Sequence, residues 1–274
     1  MRNVQTGSPT AANREPRTAK LETKQSKPIK AVIFDLDDTL IDWSEPAMSW
    51  RAFTRPKSEA VYDYLLDCGY TLPLTAEQLG QRLHDLSMAE WEDAKRTWRG
   101  ASLRQVWQQL LRELNLDPPK IDLDELLQAY NWEPFPGVDL FADTIPVLEK
   151  LRQEGYALGL ITNAYHPMWM RDIELRHYGL LDYFPARITS GDTGYMKPHP
   201  AIFWRMLGML WVEPAEAVFV GDRPENDIAG ANEVGMISVF MNPPTISREL
   251  NGIQPTYTIT SLGELLPLLA ALNR

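Results

Sequence analysis

The chain has 274 residues, of which 44% are hydrophobic and 23% charged, values typical of a globular protein with one or two domains. Its net charge of −10 is unevenly spread: residues 1–30 carry seven basic and two acidic side chains, so the remainder carries −15. This acidic body argues against a nucleic-acid partner, no apolar run is long enough to span a bilayer, and a single cysteine, Cys68, excludes an internal disulfide framework.

Residues 1–29 are predicted to form a disordered basic tail, because they are rich in polar residues and contain almost no large apolar side chains. The tail has no hydrophobic signal-peptide segment, so we expect a cytoplasmic protein. Its many basic and few acidic residues are also typical of organelle transit peptides, which leaves organelle targeting as a secondary interpretation.

The first predicted strand begins at Ala31 and ends in a group of carboxylates formed by Asp35, Asp37 and Asp38, with Thr39 next. In an extended chain, Asp35 and Asp37 point to the same side and their backbone positions lie only about 6–7 Å apart. Carboxylates this close at the edge of a core repel one another unless a cation lies between them. From this stretch alone, a solvated acidic turn remains the alternative.

Residues 43–135 are predicted to form an all-helical block, because apolar residues recur at helical spacing between proline and glycine breaks. Six of the nine tryptophans fall here, and most of them are expected to pack between helices. Trp43, Trp50 and Arg51, at the entry to the block, are candidates for facing a pocket. The four predicted helices are Lys57–Gly69, Thr75–Trp98, Ser102–Leu116 and Asp122–Trp132.

From Pro136 onward, predicted strands and helices alternate, a pattern that indicates a parallel sheet with helices on both faces. The fold class is therefore α/β: a Rossmann-like core made from residues 30–42 and 136–274, with the helical block inserted after the first strand. The predicted strands are Ala157–Ile161, Arg187–Ser190, Ala217–Val220, Ile237–Phe240 and Tyr257–Ile259. The predicted helices are Thr144–Glu154, Met168–Tyr178, Pro200–Leu210, Asp227–Val234 and Leu262–Leu272.

Groups suited to phosphoryl transfer follow four of these strands. They are, in chain order, Asp35 with Asp37, Thr162 with Asn163, Lys197, and Asp222 with Asn226 and Asp227. Ligands of open parallel sheets bind outside the carboxyl ends of the strands, so we expect these groups to converge on one rim. Together the carboxylates need a cation, and oxygen-only ligands favour Mg²⁺ over zinc. Lys197 would supply a second positive centre beside a bound phosphoryl group.

These motifs, in this order and spacing, resemble the four signature motifs of the haloacid dehalogenase (HAD) superfamily, and the helical block resembles the cap of that family. The resemblance covers the whole chain except the tail. It implies that Asp35 is a nucleophile that forms an aspartyl-phosphate, and that Asp37 is first general acid and then general base. An acid at Asp37 is typical of the phosphatases, since the true dehalogenases lack it. Asp38 stands where many members have glycine, a common variant.

The resemblance also implies the binding groups. Asp222 would ligate Mg²⁺ together with the Asp35 carboxylate and the Asp37 backbone carbonyl. Asn226 and Asp227 would not bind the metal directly. Asp227 would orient metal-bound water and Lys197, and Asn226 would help through hydrogen bonding. The residues implied to bind the substrate phosphate are Thr162, Asn163 and Lys197.

The predicted function is a Mg²⁺-dependent phosphatase of a small phosphorylated metabolite, with no nucleic-acid or membrane partner. Three alternatives stay open: a phosphomutase of the same fold, a phospho-acceptor signalling module, and a non-catalytic scaffold. The sequence does not indicate which phosphate ester is used, which residues of the helical block select it, or whether the protein is a monomer or a homodimer. His166 is a further candidate, because it lies close enough to Asn163 to reach a substrate.

Overall fold

A computed structural model describes Met1 and residues 28–116 and 120–274. The tail predicted at 1–29 therefore lies almost entirely outside the described residues. Within the described part of the chain, no helix has both the length and the apolar character needed to cross a membrane.

Six parallel strands form the central sheet in the order β5-β4-β1-β6-β7-β8. Every strand predicted for the sheet is present, and the α/β Rossmann-like class is confirmed. The first strand lies in the middle, paired with β4 on one side and β6 on the other. The strands are β1 (Ala31–Phe34), β4 (Ala157–Thr162), β5 (Ala186–Thr189), β6 (Ala217–Gly221), β7 (Ile237–Met241) and β8 (Tyr257–Ile259).

Both faces of the sheet are covered by helices, as successive residues of β1 show. Val32 and Phe34 join one apolar cluster, whereas Ala31 and Ile33 join another on the opposite face. All four side chains are fully buried, which explains why the strand is a continuous apolar run. The helices of the core are α5 (Thr144–Gln153), α6 (Met168–His177), α7 (Ser190–Thr193), α8 (Pro200–Leu210), α9 (Ala229–Val234) and α10 (Leu265–Leu272).

The helical block lies between two short strands that the sequence did not predict, β2 (Ile41–Asp42) and β3 (Asp139–Leu140). These two strands pair antiparallel, so the chain enters and leaves the block side by side. The block contains α1 (Trp50–Asp67), α2 (Ala76–Thr97), α3 (Leu103–Glu113) and α4 (Leu123–Ala129).

Several predicted helix boundaries were wrong by a few residues, and two of the differences have a local cause. Helix α1 begins at Trp50 rather than Lys57, because Ser49 caps it by accepting a hydrogen bond from the Ala52 N–H at 3.2 Å, and Pro56 lies inside the helix. The helix predicted to start at Asp227 is preceded by a π-helical turn, Pro224–Ile228, and α9 begins after that turn.

The block touches the rim of the core through the segment that links α2 to α3. The Met196 N–H donates to the Trp98 carbonyl at 3.1 Å, and the Leu103 N–H donates to the Tyr165 carbonyl at 2.8 Å. Gly100 lies between these contacts, where a Cβ atom would come within 1.9 Å of the Ser190 carbonyl oxygen. Only glycine permits this approach without a shift of the backbone.

Candidate active site

Asp35, Lys197 and Asp227 form a buried ion-pair group at the carboxyl end of the central strand. The Lys197 Nζ lies 2.6 Å from Asp35 Oδ1 and 2.7 Å from Asp227 Oδ1. All three residues are buried, with Lys197 only 1% exposed. The sequence placed these residues on one rim, and the structure brings them into direct contact.

The position of Asp227 depends on the end of β6. The π-helical turn brings the Asp227 side chain back against Gly221, where a Cβ atom would lie 2.4 Å from Asp227 Oδ2. The same oxygen accepts a hydrogen bond from the Arg223 N–H at 2.9 Å. A side chain at position 221 would therefore displace the carboxylate that holds Lys197.

Three carboxylates at this rim fit a metal ion. One oxygen each from Asp35, Asp222 and Asp227 lies within 4.8 Å of the others, and all three residues are buried. Asp222 Oδ1 has no hydrogen-bond partner within the described part of the chain. A buried carboxylate oxygen without a partner is costly, so a cation there would satisfy it. This oxygen-only donor set suits Mg²⁺.

The electrostatics of the cluster agree with that fit. Burial raises the pKa of Asp35 to about 6, although the charge of Lys197 opposes the rise. Burial and the negative charge of Asp35 raise the pKa of Asp222 to about 8. Burial alone would lower the pKa of Lys197, but Asp227 and Asp35 raise it above its ordinary value. The group thus keeps a cationic lysine beside carboxylates that resist ionising together.

The Asp37 side chain is held by three donors on the other side of the rim. Arg171 Nη2 donates to both carboxylate oxygens at 2.8 and 2.7 Å, and Trp43 Nε1 donates to Oδ1 at 2.9 Å. The Thr162 hydroxyl lies 3.3 Å from Oδ2. Burial is the largest single effect and would raise the pKa of Asp37, but the charge and hydrogen bonds of Arg171 and the hydrogen bond of Trp43 together outweigh burial and hold the pKa below its ordinary value.

Arg171 is a residue that the sequence analysis missed. It lies in α6, is 4% exposed, and also pairs with Glu174 through Nη1 at 2.8 Å. Glu174 in turn accepts a hydrogen bond from Trp132 Nε1, at the end of the helical block, at 2.6 Å. The sequence did contain one indication. Arg171 and Glu174 are three residues apart in a predicted helix and lie on the same face as the buried Leu175, a spacing that allows an ion pair.

Arg248, from the loop after β7, is the second missed residue. It donates to Asp222 and to Asp38, and so bridges two carboxylates from opposite ends of the chain. Asp38 has φ +62, a left-handed conformation that explains why glycine suits this position and that aspartate tolerates. Asp38 therefore forms an ion pair with Arg248, which the sequence alone did not show.

Asn163 has a different contact from the one predicted. Its side-chain amide donates to the Lys197 carbonyl at 3.0 Å and accepts from the Lys197 N–H at 2.8 Å. The amide therefore fixes the backbone that carries Lys197. Phosphate binding by Asn163 and by the buried Thr162 stays a prediction.

A catalytic cavity of about 220 Å³ opens above these groups, bordered by Asp35, Asp37, Lys197 and Asn226 among others. Arg223 also borders it, and its side chain is half exposed. Of the three candidates at the entry to the helical block, Trp43 and Trp50 border an adjoining cavity, as does His166. Arg51 instead borders a separate cavity between α1 and α2.

Comparison with known proteins identifies the class. The family model of haloacid dehalogenase-like hydrolases matches residues 29–235. The chain belongs to this family, as its motifs indicated.

Several curated relatives are named as phosphatases of different substrates. The chain is 33% identical over 212 residues to the glyceraldehyde 3-phosphate phosphatase of Methanopyrus kandleri, covering 77% of this chain and 83% of that protein. It is 29% identical over 231 residues to the phosphoserine phosphatase of Thermus thermophilus, covering 78% and 89%. The crystal structure of a HAD phosphatase from Thermococcus onnurineus superposes with a TM-score of 0.55 at 28% identity, covering 90% of this chain and all of that one.

Proposed function

We propose that this protein is a Mg²⁺-dependent phosphatase of small phosphomonoesters that works through a phospho-aspartate on Asp35. The observation that carries the proposal is the contact of Lys197 with Asp35 and Asp227, beside an Asp222 oxygen that has no hydrogen-bond partner among the residues that the structure describes. Family membership and the named phosphatase relatives support the same reaction class.

In the first step, a carboxylate oxygen of Asp35 attacks the phosphorus, and the bond from phosphorus to the ester oxygen breaks. Lys197 neutralises charge on the transferring group. Asp37, two residues after Asp35, gives a proton to the departing alkoxide, which leaves poorly without one.

In the second step, water attacks the phosphorus of the phospho-aspartate. Asp37, now a carboxylate, takes a proton from that water, and phosphate and free Asp35 are released. Arg171 and Trp43 hold Asp37 in its ionised form, the form this step requires. The first step requires a proton on Asp37, so these contacts must loosen when substrate binds.

Asp35 and Asp222 would hold Mg²⁺, with Asp227 close enough to contribute an oxygen. The ion would supply positive charge to the phosphoryl oxygens in the transition state. Asn226 borders the cavity and stays a candidate for a supporting role.

The helical block is proposed to act as a cap over this site. Residues 43–135 then form the cap, and residues 30–42 with 136–274 form the core. The paired β2 and β3 strands give both connections one common pivot, and the contact at Gly100 closes the block against the core. Closure excludes water until the second step requires it.

The test is release of phosphate by the purified protein from a panel of phosphorylated metabolites, with and without Mg²⁺. We expect hydrolysis that chelation abolishes and Mg²⁺ restores, and that Asp35→Asn removes. Turnover without a sugar bisphosphate activator would separate a phosphatase from a phosphomutase. Appreciable activity of Asp35→Asn would refute the covalent route.

A further inference from the structure

A second cavity adjoins the catalytic one beneath the helical block. It measures about 350 Å³, which lies within the size range of small-molecule sites. Asp37, Trp91, Lys95 and Asn163 border both cavities, so the two spaces meet beside the proposed general acid. A phosphoryl group next to Lys197 would therefore direct its ester oxygen, and the alcohol that it carries, into this second space.

Aromatic side chains make up much of its wall, and we call it the aromatic chamber: the cavity bordered by Trp43, Trp50, Trp91, Tyr165 and His166. The Tyr165 ring links the wall, with its centroid 6.4 Å from Trp50, 6.4 Å from Trp91 and 4.2 Å from His166. Such a surface binds flat or apolar faces of a ligand.

The permanent cations among the described residues that border the chamber already have partners. Arg171 is engaged by Asp37 and Glu174. Lys95 borders the chamber with a half-exposed side chain and lies 2.7 Å from Glu92 in the same helix. A second anionic group on the substrate would therefore be desolvated beside the aromatic wall and would have to compete with a carboxylate already bound to Arg171 or Lys95, which is unfavourable.

Uncharged hydrogen-bonding groups remain for the ligand. His166 is 2% exposed, and its Nε2 finds no hydrogen-bond partner in the part of the chain that the structure describes. The Ser87 hydroxyl also borders the chamber. A buried nitrogen without a partner is costly in the empty site and would be satisfied by a hydroxyl group.

We propose that the aromatic chamber binds the alcohol half of the substrate, and that this half is an uncharged, hydroxyl-bearing group with an apolar face, as in a sugar monophosphate. One face of a sugar ring carries C–H groups that pack on indole, while its hydroxyls reach His166. This inference rests on the proposed function, because it assigns the leaving group of that reaction.

The first test compares matched substrates that differ in one group, using the Mg²⁺-loaded enzyme. Glucose 1-phosphate and glucuronic acid 1-phosphate share a ring and differ only in a hydroxymethyl against a carboxylate. We expect kcat/KM to be at least about ten-fold higher for glucose 1-phosphate. The same order is expected for glyceraldehyde 3-phosphate over 3-phosphoglycerate.

Variants then locate the preference in the chamber. Trp91→Ala should lower kcat/KM for glucose 1-phosphate relative to that for acetyl phosphate, whose small acyl group does not fill the chamber, by about ten-fold. The matched control is Trp204→Ala, since Trp204 is 52% exposed on α8 and remote from both cavities. It should leave that ratio unchanged.

A variant that adds a positive charge to the wall of the chamber is a sharper test. Met88 borders the chamber and is 44% exposed, so an arginine there can be accommodated. Met88→Arg should narrow or invert the preference for glucose 1-phosphate over glucuronic acid 1-phosphate, whereas Met88→Leu should leave it as it is.

The inference is overturned if the carboxylate substrates are hydrolysed as well as their neutral counterparts. It is equally overturned if Trp91→Ala lowers kcat/KM for acetyl phosphate and glucose 1-phosphate in the same proportion. If the intact enzyme releases no phosphate from acetyl phosphate or from any ester, the proposed function fails, and the assignment of its leaving group fails with it.

Discussion

Replacing Arg171 by methionine tests the buried arrangement that orients Asp37. The change removes a guanidinium that bonds both Asp37 oxygens at 2.8 and 2.7 Å and Glu174 at 2.8 Å. Two carboxylates then remain in a buried setting without their cation. Removing one partner of a buried ion pair costs about 3–5 kcal/mol. This corresponds to a fall of about 6–20 °C in melting temperature.

Chemical denaturation measures that loss, and kinetics separates stability from catalysis. Without Arg171, Asp37 loses its fixed orientation and the positive charge that keeps it ionised for the second step, so kcat should fall even for p-nitrophenyl phosphate, whose nitrophenolate leaves without protonation. Arg152→Met is the matched control, because Arg152 pairs with Glu149 at 2.6 Å on the surface and should cost less than about 1 kcal/mol. Equal losses of stability in the two variants, or an unchanged kcat for p-nitrophenyl phosphate, would refute the reasoning.

Three further outcomes are expected. Mg²⁺ should raise the melting temperature of the wild-type protein, because it relieves repulsion between the carboxylates. The Asp222→Asn variant should lose most of that rise. Scanning fluorimetry with and without the ion measures both melting temperatures. Gly100→Ala should lower turnover by pushing the α2–α3 segment off the Ser190 carbonyl, while Gly69→Ala, in an open turn with φ +86, should affect stability alone. Burial, reinforced by Arg171, holds the pKa of His166 well below its ordinary 6.5, so the folded state loses stability as the pH falls through 6.5. His166→Phe should show a smaller fall in melting temperature over that pH interval, and an identical fall would contradict the assignment.

The parallel sheet could be predicted because its inner strands are buried on both faces and therefore stand out as short apolar runs between helical segments. The ribbon of β2 and β3 could not, because two residues in each strand are too few to show alternation. The π-helical turn before α9 was missed for a similar reason, since its sequence resembles the start of an ordinary helix.

The residues of the candidate site likewise fall into two groups, those that the sequence could predict and those that it could not. Residues at strand ends were predictable because the topology of a parallel sheet gathers them, as the Lys197–Asp35 contact shows. Arg171 lies 134 residues from Asp37 in sequence, and Arg248 lies 210 residues from Asp38. Arg171 lies within a helix, Arg248 lies seven residues beyond the end of β7, and neither belongs to a motif, so only the folded chain shows that they hold the two acids in place.

Trapping the phosphorylated enzyme tests the central claim most directly. Asp37→Asn removes the base that the second step requires, while acetyl phosphate needs no protonated leaving group for the first step. After brief incubation with acetyl phosphate and Mg²⁺ and quenching in acid, tandem mass spectrometry should find one phosphoryl group on Asp35. The double variant with Asp35→Asn should carry none. A phosphoryl group on another residue, or an unmodified Asp35 in a protein that still releases phosphate, would contradict the account.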